Sequence, residues 1–135
     1  MRRIAVDTNI YTSFKCGDQH VVETFRDCDF IGVDITVIAE LLSGFSLGGR
    51  EKKNRQELEV FLNSPRVELL LHDLGTADYY ALIVKRLKAK GRPIPTNDIW
   101  IAANTMKNGL ALYSFDSHFE EVEGLLLLPV TRENA

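Results

Sequence analysis

Cysteine, histidine and proline are scarce in this 135-residue chain, with two, three and four copies. Cys16 and Cys28 cannot build a disulfide framework, so a reduced, cytoplasmic setting is expected. His20, His72 and His118 are scattered without metal-like pairing, which argues against a Cys/His zinc site. Long apolar runs are missing too. Arg2 and Arg3 precede only Ile4, Ala5 and Val6 before Asp7 interrupts, so neither a signal peptide nor a membrane span is expected. No excess of positive charge exists either: sixteen Lys and Arg against nineteen Asp and Glu leave −3, and that total by itself argues against a nucleic-acid partner. What is present is an ordinary globular composition, 45% hydrophobic and 26% charged, which excludes disorder. The length suits one domain over residues 1–135.

The apolar pattern predicts alternating strands and helices. A strand at 3–7 runs into Asp7-Thr8-Asn9, a cluster able to cap the helix that follows, and Cys16-Gly17-Asp18-Gln19 splits that helical region in two. A second strand at 30–34 leads to Thr36, a candidate cap for a helix at 36–46. Its Ile38, Leu41, Leu42 and Phe45 fall at i, i+3, i+4 and i+7, and Gly48-Gly49 closes it. Another helix opens at 50 and ends before Pro65, followed by a strand at 67–71 and a long helix at 75–90 with a basic C-terminal end. Past Pro93 and Pro95, Thr96 or Asn97 is expected to cap a helix at 97–108. A fourth strand at 111–115 and a fifth at 125–128 complete the chain. Short continuous apolar strands alternating with helices predict an α/β fold, a three-layer α/β/α sandwich around a mostly parallel sheet of about five strands.

In such sheets ligands bind beyond the carboxyl ends of the strands. Asp7 and Asp116 stand at that edge, and Asp98, in the first turn of its helix, can return to it. Each has an ordinary structural explanation: a cap for Asp7, a turn for Asp116, and for Asp98 a helix-dipole contact of about 0.3–1 kcal/mol. Three at one edge are harder to explain that way. Glu40 points away from its helix's apolar stripe, so periodicity places it toward solvent, although the same face could line a cleft. If the four acids converge, they repel one another unless a cation holds them ionised. Oxygen ligands favour Mg²⁺ or Mn²⁺, and such a site suits phosphodiester hydrolysis by polarising the phosphoryl oxygen and activating a water.

The spacing of Ala77, Tyr80, Ile83, Leu87, Gly91, Ile94, Asp98, Ile101-Ala102-Ala103, Gly109, Leu112, Ser114, Asp116 and Phe119 resembles that of PIN-domain proteins of the VapC type, the toxin ribonucleases of toxin–antitoxin pairs. Val6-Asp7-Thr8-Asn9, Thr36-Val37-Ile38-Ala39-Glu40-Leu41 and Gly44 extend the resemblance over nearly the whole chain. It implies a catalytic, metal-binding quartet of Asp7, Glu40, Asp98 and Asp116, and for Glu40 it overrides the solvent-facing reading. Thr8 or Asn9 would tune the first acid. Ser114 stands where the family more often has Thr, near the fourth acid, and Thr105 stands where a small Ala is usual.

The resemblance further implies a Mg²⁺- or Mn²⁺-dependent endoribonuclease that cuts tRNA or ribosomal RNA, leaves 5′-phosphate and 3′-hydroxyl ends and inhibits translation. A VapB-like antitoxin would neutralise it, and the protein would be a homodimer. Nine of the sixteen basic residues fall in 50–55 and 85–92, either as solvated helix faces or as RNA phosphate contacts. His118, two residues past Asp116, could touch substrate but receives no role, and Trp100 and Met106 suit core or dimer contacts. Two other readings remain open. One is a non-catalytic PIN-fold binding module. The other is a haloacid-dehalogenase-like phosphohydrolase, disfavoured because Asn9 stands where that family needs a second Asp.

Overall fold

A computed structural model describes residues 2–130. Four strands, β1 (Arg2–Val6), β2 (Cys28–Asp34), β3 (Val67–Leu70) and β4 (Ala111–Tyr113), form one sheet in the order β3-β2-β1-β4. All three pairings are parallel. Ile4, Ala5 and Val6 are each buried, and because successive strand residues point to opposite faces, both faces of the sheet must be covered. The covering elements are six helices: α1 (Thr8–Lys15), α2 (Gln19–Arg26), α3 (Ile35–Leu47), α4 (Glu51–Leu62), α5 (Leu74–Lys90) and α6 (Thr96–Lys107). A 3₁₀ turn, η1, spans Ser117–Glu121. This is the predicted α/β architecture.

The strand order fixes where a ligand can enter. From β1 the chain moves outward through β2 to β3, then crosses back to lay β4 on the other side of β1. Connections therefore diverge between β1 and β4, and a crevice opens beyond their carboxyl ends. At Gly32 in the inner strand β2, a Cβ would stand 2.6 Å from Leu70 Cδ1 and 3.1 Å from Leu110 Cδ1, so a larger residue would have to push those two leucine side chains aside. Gly91, at φ +67°, adopts the left-handed conformation that ends α5.

Three local expectations are corrected. The fifth strand shrinks to a single parallel bridge between Leu112 and Leu127, because Leu126 is mostly exposed and Pro129 offers no N–H to extend the ladder. Helix α3 starts one residue early, and its cap is Asp34, which accepts from the Thr36 N–H, in place of Thr36 itself. Helix α6 starts at Thr96 behind Pro95 with no side-chain cap, which leaves Asn97 free for another task. Thr105 is buried, and its hydroxyl is satisfied by the Ile101 carbonyl at 2.7 Å, so the departure from Ala is absorbed within the helix. No helix among the described residues is long and apolar enough to cross a membrane.

Candidate functional site

Asp7 directly follows β1 and caps α1. Its N–H donates to the Tyr113 carbonyl (3.0 Å), its Oδ1 accepts the Thr8 N–H (2.8 Å), and its Oδ2 accepts the Ser114 hydroxyl (2.6 Å). Ser114 in turn accepts the Asp116 N–H at 3.0 Å. This hydroxyl therefore ties the first acid's side chain to the fourth acid's backbone, whereas the sequence placed it only beside the fourth. Asp116 caps η1 through the His118 N–H (2.9 Å). Asn9 reaches the Phe115 N–H through a long contact of 3.5 Å.

Asp98 enters from the first turn of α6 and is 7% exposed, against 6% for Asp7. Glu40 comes from α3, whose buried residues are Val37, Ile38 and Leu41. It does lie off that apolar stripe, but its face closes on the crevice instead of bulk solvent. Thr8 Oγ1 donates to Glu40 Oε1 and Asn97 Nδ2 donates to Oε2, each at 2.7 Å. The four acids, Thr8, Asn9 and Asn97 line one cleft of about 650 Å³, with His118, Phe115 and Pro95 on its walls.

Electrostatics in the cleft favour a cation. Burial pushes the Asp7 carboxyl above its ordinary 3.8; the Ser114 and Thr8 hydrogen bonds oppose that rise, and Glu40 and Asp116 add to it. Burial likewise raises Asp98, opposed by a hydrogen bond from His118 and reinforced by Asp7 and Asp116. Closely set carboxylates of this kind are relieved by a divalent ion. The donor set fits one: an oxygen of Asp98, an oxygen of Asp116 and a ring nitrogen of His118 all lie within 4.8 Å of one another. Asp7 and Glu40 stand beside that trio with every carboxylate oxygen already accepting a hydrogen bond.

Two contributors escaped the sequence reading. His118 Nδ1 lies 3.3 Å from Asp98 Oδ2 and 3.2 Å from Asp116 Oδ1; its position two residues after Asp116 was the one available signal. Asn97 gave none, since adjacency to Asp98 on a helix does not imply a shared face. Of the basic residues, Arg50 and Lys53 line a separate hollow of about 420 Å³ that shares Thr12 with the cleft. Arg86 and Lys90 instead hold the 121–123 backbone through carbonyl contacts at 3.2 and 2.9 Å. Trp100 stacks between His72 and Tyr80, centroids 4.6 and 4.2 Å away, which is a packing role.

The family model for the PIN domain matches residues 4–125. Among curated proteins, ribonuclease VapC4 of Mycobacterium tuberculosis is 25% identical over 119 residues, covering 88% of this chain and 90% of its own. Ribonuclease VapC2 of Rickettsia felis is 28% identical over 127 residues, covering 90% and 93%. Among solved structures, VapBC from Salmonella typhimurium, bound to DNA, aligns with a TM-score of 0.84 at 24% identity, covering 95% of this chain and 98% of that one. VapBC2 from Rickettsia felis, bound to a DNA fragment from its promoter, aligns at 0.82 with 23% identity, covering 93% and 96%. The family match spans both the crevice between β1 and β4 and the helix that carries Asp98 into it, and by that match the chain belongs to the PIN domain family.

Proposed function

We propose that this single-domain chain is a metal-dependent endoribonuclease of the VapC type, with Asp7, Glu40, Asp98 and Asp116 as its catalytic, metal-binding acids and Mg²⁺ or Mn²⁺ as its ion. The observation that carries the reading is the convergence of four acids from four separate stretches of chain on one cleft at the switch point of the sheet, with Asp7 and Asp98 both buried. When bound, the ion polarises a phosphoryl oxygen and lowers the pKa of an attacking water. Asp98 and Asp116 would hold it. Asp7, fixed by Thr8 and Ser114, and Glu40, fixed by Thr8 and Asn97, keep negative charge aimed into the cleft without spending freedom on ordering it. Hydrolysis breaks the bond to the 3′ oxygen and leaves 3′-hydroxyl and 5′-phosphate ends.

The substrate would be a single-stranded loop of tRNA or ribosomal RNA, whose cleavage stops translation. RNA is favoured by the relatives named as ribonucleases, and a VapB-like antitoxin by the neighbours named as VapBC complexes. The protein would act as a homodimer in the cytoplasm. The test is cleavage of total RNA by purified protein in Mg²⁺, Mn²⁺ or EDTA, beside Asp7→Asn and Asp98→Asn. Cleavage in either ion that EDTA and both substitutions abolish is the expected result. Cleavage indifferent to EDTA and to both substitutions would sink the mechanism, and no cleavage at all would favour a non-catalytic binding module.

A further inference from the structure

We infer that His118 is a nitrogen ligand of the cleft's metal ion and biases the site toward first-row transition ions over Mg²⁺. This rests on the metal-dependent reading above and concerns a residue outside its acidic quartet. The imidazole is placed by local structure: the His118 N–H donates to Oδ1 of Asp116, the acid that caps the five-residue turn η1, which ties the two residues together. Phe119, fully buried beside it, anchors that turn to the core. The His118 ring itself is half exposed, so the acids rather than core packing set its direction.

The spacing is that of ligands sharing an ion. His118 Nδ1 lies 3.2 Å from Asp116 Oδ1 and 3.3 Å from Asp98 Oδ2, and the three donor atoms all lie within 4.8 Å of one another, close enough that one ion could be shared among them. Before an ion binds, the same ring sits at hydrogen-bond distance, 3.3 Å, from Asp98 Oδ2. An all-oxygen site suits Mg²⁺, whereas an imidazole nitrogen adds affinity along the series from Mn²⁺ to Co²⁺ and adds little for Mg²⁺.

The test is titration calorimetry of the metal-free full chain with Mg²⁺, Mn²⁺ and Co²⁺, beside His118→Ala and His118→Asn, with pulsed EPR of the Mn²⁺ form. The expected result is a loss of about tenfold or more in Co²⁺ affinity in His118→Ala, a smaller loss for Mn²⁺, and less than threefold for Mg²⁺. A ¹⁴N coupling present in the unaltered chain should vanish in both variants, and His118→Asn, which offers an amide oxygen near the same place, should bind Mg²⁺ like the unaltered chain but not restore the Co²⁺ preference. Metal binding without nitrogen coupling, or a His118→Ala variant that binds all three ions equally well or better, overturns this inference and leaves the metal-dependent reading standing. No binding of any ion to the unaltered chain, with no metal-stimulated cleavage, sinks both.

Discussion

Asp7 closes β1 and Asp34 closes the neighbouring β2; each is buried, at 6% and 2% exposure, and each caps the helix that follows it. Their surroundings differ completely. Asp34 meets donors: the Thr36 N–H at 2.6 Å, His72 Nε2 at 3.0 and 3.1 Å, and Asn104 Nδ2 at 2.7 Å. Trp100 covers the His72 ring, and Asn104 continues the network to the Thr76 hydroxyl and the Leu70 carbonyl. Asp7 receives two hydrogen bonds and then faces Glu40 and Asp116 across an open cleft. A buried carboxylate with every lone pair answered stabilises its surroundings, whereas one that faces its own kind stores repulsion that a cation can release. The difference comes from sheet order, since only β1 borders the switch point with β4.

The largest effect should separate the two acids by activity. Asp7→Asn and Asp98→Asn are each expected to slow RNA cleavage at least about a hundredfold, roughly 2.7 kcal/mol on the barrier, while Asp34→Asn in folded protein stays within a few-fold. Single-turnover cleavage rates decide it. A loss at Asp34 equal to that at Asp7 would erase the distinction. Next in size is stability, where the ranking reverses. Truncating Asp34 to Ala removes the buried acceptor shared by Thr36, His72 and Asn104 and should cost about 2–4 kcal/mol in urea unfolding.

A smaller effect of opposite sign is expected at Asp7. Burial holds its folded carboxyl above the ordinary 3.8, so the folded state binds that proton more tightly than the unfolded chain does. The group favours folding below about pH 3.8, and that advantage is lost as pH rises through the raised value. Asp7→Asn should therefore stabilise the metal-free protein at pH 7 and make less difference as pH falls toward 4. Saturating Mn²⁺ should remove the gain at pH 7. Thermal melts at the two pH values, with and without ion, measure it. The smallest effect concerns a third kind of buried polar group. The Tyr11 hydroxyl has no hydrogen-bond partner among the described residues, so Tyr11→Phe should leave stability unchanged or raise it by a few tenths of a kcal/mol in the same melts.

Most of the scaffold was legible because periodicity is a local property. The apolar run Ile4–Val6, the i, i+3, i+4 and i+7 pattern on α3 and the glycine that ends α5 each act within a turn or a strand. The fifth strand misled for the same reason: Leu125 to Leu128 has a strand's composition, but a ladder needs a partner edge with matching length. The acids of the cleft were partly legible. Asp7 and Asp116 could be placed at the sheet edge from strand position, yet Asp34 carries the same signature and belongs to a different environment. Periodicity set Glu40 off the apolar stripe and leaned toward solvent, and only the family resemblance moved it into the quartet, because a helical wheel does not say which neighbour the polar face meets.

By itself the sequence determined the α/β alternation and the two half-helices after β1, since composition, caps and periodicity act over a few residues, while the full set of four acids came from the family resemblance. Only the tertiary structure decided which strand end became the cleft, that Asn97 and Thr8 clamp Glu40, that Ser114 bridges Asp7 to Asp116, and that His118 turns toward two carboxylates. Those facts depend on strand order and on contacts between residues up to 107 positions apart, and no local preference encodes them.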